Sequence, residues 1–114
     1  MTQSTQATLL RLFIGESDEH AGRPLHEAIV LKARETGIAG ATVFRGAMGY
    51  GRSSRLHTSK ILRLSEDLPV VIEIVDSSDR IDDFLAEAEH MLGSCLVTLE
   101  MVRIVRYGLD GGLP

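Results

Sequence analysis

Apolar and polar positions first fall into a regular pattern at Ala7–Ile14. There Thr8, Leu10, Leu12 and Ile14 lie on one side of an extended chain, and Leu9, Arg11 and Phe13 on the other. Both sides are mostly apolar, which predicts a strand flanked on both faces, preceded by a polar tail over residues 1–6. Gly15–Gly22 reads as a polar loop. Pro24 suits the first position of a helix, where its missing N–H leaves no bond unmade. Leu25, Ala28, Ile29, Lys32 and Ala33 then recur at helical spacing, and Gly37 supplies the stop.

From Gly40 the run ATVFR predicts a short strand. Gly46, Gly49 and Gly51 interrupt it, Ser53, Ser54 and Arg55 prolong a loop, and strand character returns at Lys60–Leu64. Pro69 opens Val70–Val75, β-branched at every position except Glu73, which predicts a central strand. Asp76 or Ser77 can cap a second helix whose start is crowded by Asp79, Asp82 and Asp83, where the helix dipole favours negative charge. Ile81, Phe84, Leu85, Ala88, Met91 and Leu92 make its apolar stripe, and Gly93 ends it. Cys95–Tyr107 is the last strand, and residues 109–114 are a turn-rich tail.

The order strand-helix-strand-strand-helix-strand over residues 7–108 is that of an α+β, ferredoxin-like sandwich, with two helices on one face of a four-stranded antiparallel sheet. Its other face is open, yet the first and third strands, neighbours in this topology, carry just one charge each, Arg11 and Glu73. The open face is therefore expected to be an oligomer interface in which Arg11 and Glu73 pair.

The 114 residues are enough for one domain that buries roughly two-thirds of its unfolded surface. A single cysteine, Cys95, and a start without a basic, apolar leader point to the cytoplasm. No apolar run approaches the about 20 residues that cross a bilayer. A net charge of −4 and a pI near 5.5 argue against nucleic-acid binding, as do the two tyrosines, three phenylalanines and absent tryptophan. The charge is uneven, however: no acidic residue lies between Glu35 and Glu66, where Arg45, Arg52, Arg55, Lys60 and Arg63 stand with His57.

Within that stretch GAMGYGRSSRLHTSK, Gly46–Lys60, combines glycines that let a ligand approach the backbone, amides that can form an anion nest, and arginines that can clamp phosphate oxygens. It matches neither the P-loop nor the dinucleotide fingerprint, and a solvated loop that uses Gly for turns and Arg for solubility has the same composition. His20, His26, His57 and His90 lack close metal-ligand spacing, so no metal is expected. Asp76, Asp79, Asp82 and Asp83 lack the pattern of a calcium loop. No nucleophile elbow or carboxylate dyad is evident. Ser53 and Ser54 near His57 are more simply phosphate contacts than a nucleophile and base, so the chain is not expected to be an enzyme.

Gly37–Gly40, Thr42–Val43, Gly49-Tyr50-Gly51-Arg52, His57–Thr58 and Leu68–Val75 together resemble the PII signal-transduction family, with its GI-x-G-x-TV strand, GFGR motif, later HT and LP-x-V-x-IEIVV strand. The segments LRLFIGES at Leu10–Ser17, SSRLHT at Ser53–Thr58 and ILRLSEDLP at Ile61–Pro69 are closest to a PII-like family of unassigned function. The resemblance implies a trimer with clefts between subunits, near the base of the loop after the second strand. A small anionic effector would bind there, typically an adenine nucleotide (AMP, ADP, ATP or a cyclic nucleotide), and reset the loop for a partner protein.

On this carry-over Gly49, Gly51, Arg52, Ser53, Arg55, His57 and Lys60 belong to the ligand site, and Arg106 matches a phosphate-binding arginine of the last strand. The chain departs from the family in a shorter loop, in Gly108 and Val70 where the family has an arginine and a lysine, and in a turn reduced to Gly93-Ser94-Cys95. The other reading is an adaptor whose loop docks, without nucleotide, on a membrane transporter or ion channel. Arg103 and Arg106, three apart, point to opposite faces of a regular strand.

Overall fold

The computed structural model describes residues 5–50, 57–58, 67–93 and 95–106, with backbone alone at 57–58. Four strands, β1 (Thr5–Gly15), β2 (Thr42–Arg45), β3 (Pro69–Asp76) and β4 (Leu96–Ile104), form one antiparallel sheet in the order β2-β3-β1-β4. The helices α1 (Leu25–Glu35) and α2 (Ser78–Leu92) complete the expected ferredoxin-like arrangement. Two boundaries move by more than one residue. β1 begins at Thr5 rather than Ala7, because Thr5 and Gln6 pair with Ile104 and Arg103. β4 stops at Ile104, so Arg106 lies beyond it. The strand expected at Lys60–Leu64 and the tails at 1–4 and 109–114 fall outside the described residues.

Leu10, Leu12 and Ile14 of β1 and Val70, Ile72 and Ile74 of β3 face the helices, as the alternation predicts. They pack with Ile29 and Ala33 of α1 and with Ile81, Phe84 and Ala88 of α2 in one core, against which Leu85, Met91 and Leu92 lean from its edge.

The ends of α1 show why it occupies its span. Glu19–His20 pairs with Arg23–Pro24 in a tight hairpin, with positive φ at both Ala21 and Gly22. Pro24 therefore stays extended (φ −55°, ψ 135°) and precedes the helix instead of occupying its first turn. At the other end Gly37 takes φ +89°, a conformation that costs glycine little. Its N–H donates to Arg34 O and that of Ile38 to Ala33 O, closing a Schellman turn that drives Ile38 into the core.

Ser77, not Asp76, caps α2: its Oγ accepts from the Arg80 N–H at 3.3 Å. Asp76 is only 3 % exposed. Its carboxylate accepts from the N–H groups of Ala39 (3.2 Å) and Ser77 (2.7 Å), while Arg80 Nη1 donates to Gly37 O at 2.8 Å. These bonds fasten the turn after α1 to the start of α2.

The open face carries Leu9, Arg11 and Phe13 beside Val71, Glu73 and Val75, as predicted. Arg11 stands directly across from Glu73, with its Nε donating to Glu73 Oε2 at 2.9 Å. A second carboxylate, on Glu100 of β4, accepts from Arg11 Nη1 at 3.2 Å. The expected pair thus forms inside one chain. It raises the guanidinium pKa, the Glu73 hydrogen bond contributing most. Among the described residues no helix is long and apolar enough to cross a membrane.

Asp76→Ala leaves the amides of Ala39 and Ser77, whose bonds to it are part-buried, without their acceptor. It should lower the unfolding free energy by about 1 to 2 kcal/mol, measured by urea denaturation, with the strand and helix content of the remaining native protein unchanged.

Candidate functional site

Pairing of β1 with β3, and of β3 with β2, gathers three chain segments at one end of the sheet. Gly15 lies opposite Pro69, and Arg45 opposite Val70. Beyond the strands the segments stay bonded. Gly46 N–H donates to Pro69 O (2.7 Å), Glu16 N–H to Leu68 O (2.8 Å) and Ser17 N–H to Asp67 Oδ1 (2.8 Å), while Asp18 Oδ2 accepts from Gly15 N–H at 2.9 Å. An ion pair between Arg45 and Glu16 bridges from β2 to the end of β1.

Side chains of the neighbouring segment crowd these glycines, the stiff Pro69 ring at Gly46 and the movable Asp67 carboxylate at Gly15. A Cβ on Gly46 would stand 2.8 Å from Pro69 Cγ, and one on Gly15 would stand 2.9 Å from Asp67 Oδ1; at Gly49 the approach to Pro69 Cγ is 3.2 Å. The contact that Gly46 and Gly49 admit in this chain is therefore the Pro69 ring.

From this base the loop leaves through Met48–Gly49, which pairs with His57–Thr58, bringing the Gly49 and His57 backbones opposite each other. Met48 and Tyr50 are 60 % and 71 % exposed. Gly51, Arg52, Ser53, Arg55 and Lys60 lie outside the described residues. Arg106 is exposed and follows the end of β4 that pairs with Thr5, so it stands at the opposite end of the sheet from Gly49. With β1 running between them, about 30 Å separates the two ends. One chain does not bring these residues together. Arg103 is exposed on β4, across from Gln6.

Glu16, Arg45, Asp67 and Pro69 were not singled out as site residues in the sequence. The signal for Glu16, Asp67 and Pro69 was present in the IGES and EDLP motifs, and that for Arg45 in the cationic stretch after Glu35. Cys95 behaves as a half-buried thiol. Burial raises its pKa and the Asp18 charge adds to that, against a hydrogen bond from the Phe13 backbone.

Comparison with known proteins finds a match to the DUF190 family, described as an uncharacterized ACR, over residues 7–104. A UPF0166 protein of Aquifex aeolicus (strain VF5) is 38 % identical over 97 residues, which cover 85 % of this chain and 91 % of that protein. Among solved structures, CPII, a nitrogen regulatory PII-like protein from Thiomonas intermedia K12 bound to ADP, AMP and bicarbonate, superposes with a TM-score of 0.67. It is 14 % identical and covers 91 % of this chain and 92 % of its own. A putative PII-like signaling protein from Thermus thermophilus gives 0.64 at 15 % identity, with coverage of 90 % and 92 %. At these identities the two structures establish the fold.

Two outcomes test the geometry of the loop base. Gly46→Ala should lower stability by about 1 to 3 kcal/mol through the forced displacement of Pro69, whereas Gly40→Ala, with open space around it, should stay within about 0.5 kcal/mol of the parent in the same thermal melts. Because its thiol pKa is raised, Cys95 should react with iodoacetamide at pH 8 more slowly than free cysteine, and should reach the free rate in denaturant.

Proposed function

The chain belongs to the DUF190 family, and on that premise we propose that it is a PII-like regulator that binds a small anionic effector, an adenine nucleotide, at clefts between subunits. The observation that carries this reading is the loop base itself. Three segments, two of them bearing glycines, are locked together at one end of the sheet, and a loop rich in arginine springs from them. Gly49, Gly51, Arg52, Ser53, Arg55, His57 and Lys60 supply amides and positive charge from that loop.

Arg106 completes the site from a neighbouring chain, since its own copy stands at the far end of the sheet. This makes oligomerisation a condition of binding. The open face suits the purpose: Phe13, Phe44, Val75 and Leu96 are exposed there, with Leu9 and Val71 half-buried between them. A trimer built on that face gives three equivalent clefts.

The effector acts by competition and ordering. An anion arriving at the base offers Arg45 an alternative to Glu16, and neutralises positive charge on Arg52, Arg55 and Lys60. What the loop then presents, including the exposed Met48 and Tyr50, is what a protein partner reads. A membrane transporter or channel is the partner class proposed, and the role is non-enzymatic.

Calorimetry with AMP, ADP, ATP and cyclic nucleotides should give heat for at least one, with Arg52→Ala weakening that binding by about 1.5 to 3 kcal/mol. Absence of heat with all of them at millimolar concentration rejects the nucleotide. A light-scattering mass of one chain at micromolar concentration rejects the intersubunit site. Capture of a partner that is indifferent to nucleotide would leave the adaptor reading in its place.

A further inference from the structure

We propose that the Glu16 carboxylate is an intramolecular rival of the effector, alternating with it on the Arg45 guanidinium and so setting its affinity and the tie of the loop to β1. The inference rests on the effector reading above, and it assigns to Glu16 the resistance that binding must overcome.

The sheet order β2-β3-β1-β4 puts a whole strand between these two residues. Arg45 ends β2, opposite Val70, and Glu16 directly follows the last residue of β1. Their ion pair therefore passes across the start of β3 and straps together two strands that are not neighbours in the sheet. Each end is held by the backbone beside it. Glu16 N–H donates to Leu68 O at 2.8 Å, and Gly46 N–H donates to Pro69 O at 2.7 Å. With both backbones fixed, closing the pair orders little more than two side chains. Neither residue belongs to the core, so opening it leaves the packing intact.

The charge pattern isolates the pair. No acidic residue lies between Glu35 and Glu66, so Arg45 takes its counter-ion from another segment of the chain. Its side chain is 59 % exposed and that of Glu16 26 %. Arg45 Nη2 faces Glu16 Oε2, and a guanidinium presents five N–H donors in a planar fork. Donors thus remain toward solvent, where a phosphate or carboxylate group can engage them before Glu16 lets go. Exchange of one oxyanion for another keeps Arg45 neutralised, but it cuts the strap to β1. Exposed ion pairs are weak, so the resistance amounts to about fourfold in affinity and not to a block.

Calorimetry with AMP, ADP and ATP on the parent, Glu16→Gln, Arg45→Gln and the double variant tests this. Glu16→Gln, which keeps the size of the side chain, should bind whichever nucleotide the parent binds about fourfold more tightly. In the Arg45→Gln background the same change should alter affinity by less than about 1.5-fold, because nothing is left to compete for. Arg45→Gln itself should weaken binding about fivefold in the parent and about twentyfold in Glu16→Gln. Equal tightening in both backgrounds overturns the inference, since loss of a nearby negative charge favours any anion alike. A parent that binds nucleotide with an affinity unchanged by Glu16→Gln also overturns it, and the effector reading then stands without the rival. If no chain gives heat with any of the three, the effector reading itself falls and takes the rival with it.

Discussion

β1 is paired along both edges, to β3 from Thr8 opposite Asp76 to Gly15 opposite Pro69, and to β4 from Thr5 opposite Ile104 to Phe13 opposite Leu96. Because side chains alternate along a strand, a slip of one residue would turn Leu10, Leu12 and Ile14 out of the core and drive Arg11 into it. The same slip would part Gly15 from Pro69 and break the bonds of Glu16 to Leu68 and Ser17 to Asp67. The burial that stabilises the sandwich therefore also assembles the loop base. This chain cannot keep one and lose the other.

That coupling explains the use of glycine. Gly46 sits where the Pro69 ring leaves no room for a Cβ, and a Cβ at Gly15 would have to displace the Asp67 carboxylate, so their first role is to let the chain pack against itself. A ligand reading and a packing reading of such glycines are not rivals, because a segment held by its neighbours can still carry the loop that follows it. The hairpin carrying His20 begins immediately after the Gly15–Asp18 turn, and Asp18 O accepts from Leu25 N–H at 2.7 Å.

The strands and helices were legible because their signals are local and repeated. Alternation at Leu10, Leu12 and Ile14, the β-branched run at Val70–Val75 and the stripe from Ile81 to Leu92 each report burial many times over. The stops at Gly37 and Gly93 were legible because only one residue type takes those conformations cheaply; both have positive φ. Even the pairing of Arg11 with Glu73 followed from topology. What escaped was set by tertiary contact: Asp76 accepting from Ala39, Arg45 reaching Glu16, and His20 meeting His90. Pro24 shows a finer failure. A proline that suits a helix start also suits an extended residue, and pairing with Glu19 decided between them.

The centre of the open face sets a condition on whatever covers it. Arg11 divides its guanidinium between Glu73 and Glu100, so the cluster carries one positive and two negative charges on a surface that is otherwise largely apolar. Transfer of such a group from water costs several kcal/mol per ion before pairing returns any of it, and one carboxylate charge has no counterpart. The apolar rim favours association in many registers, whereas the charged centre tolerates only those that leave it hydrated or bring a cation from the neighbouring chain. On a face covered by a second chain, affinity and specificity would thus fall to different residues. A chain with an apolar pair at positions 11 and 73 would associate more readily, and less selectively, than this one.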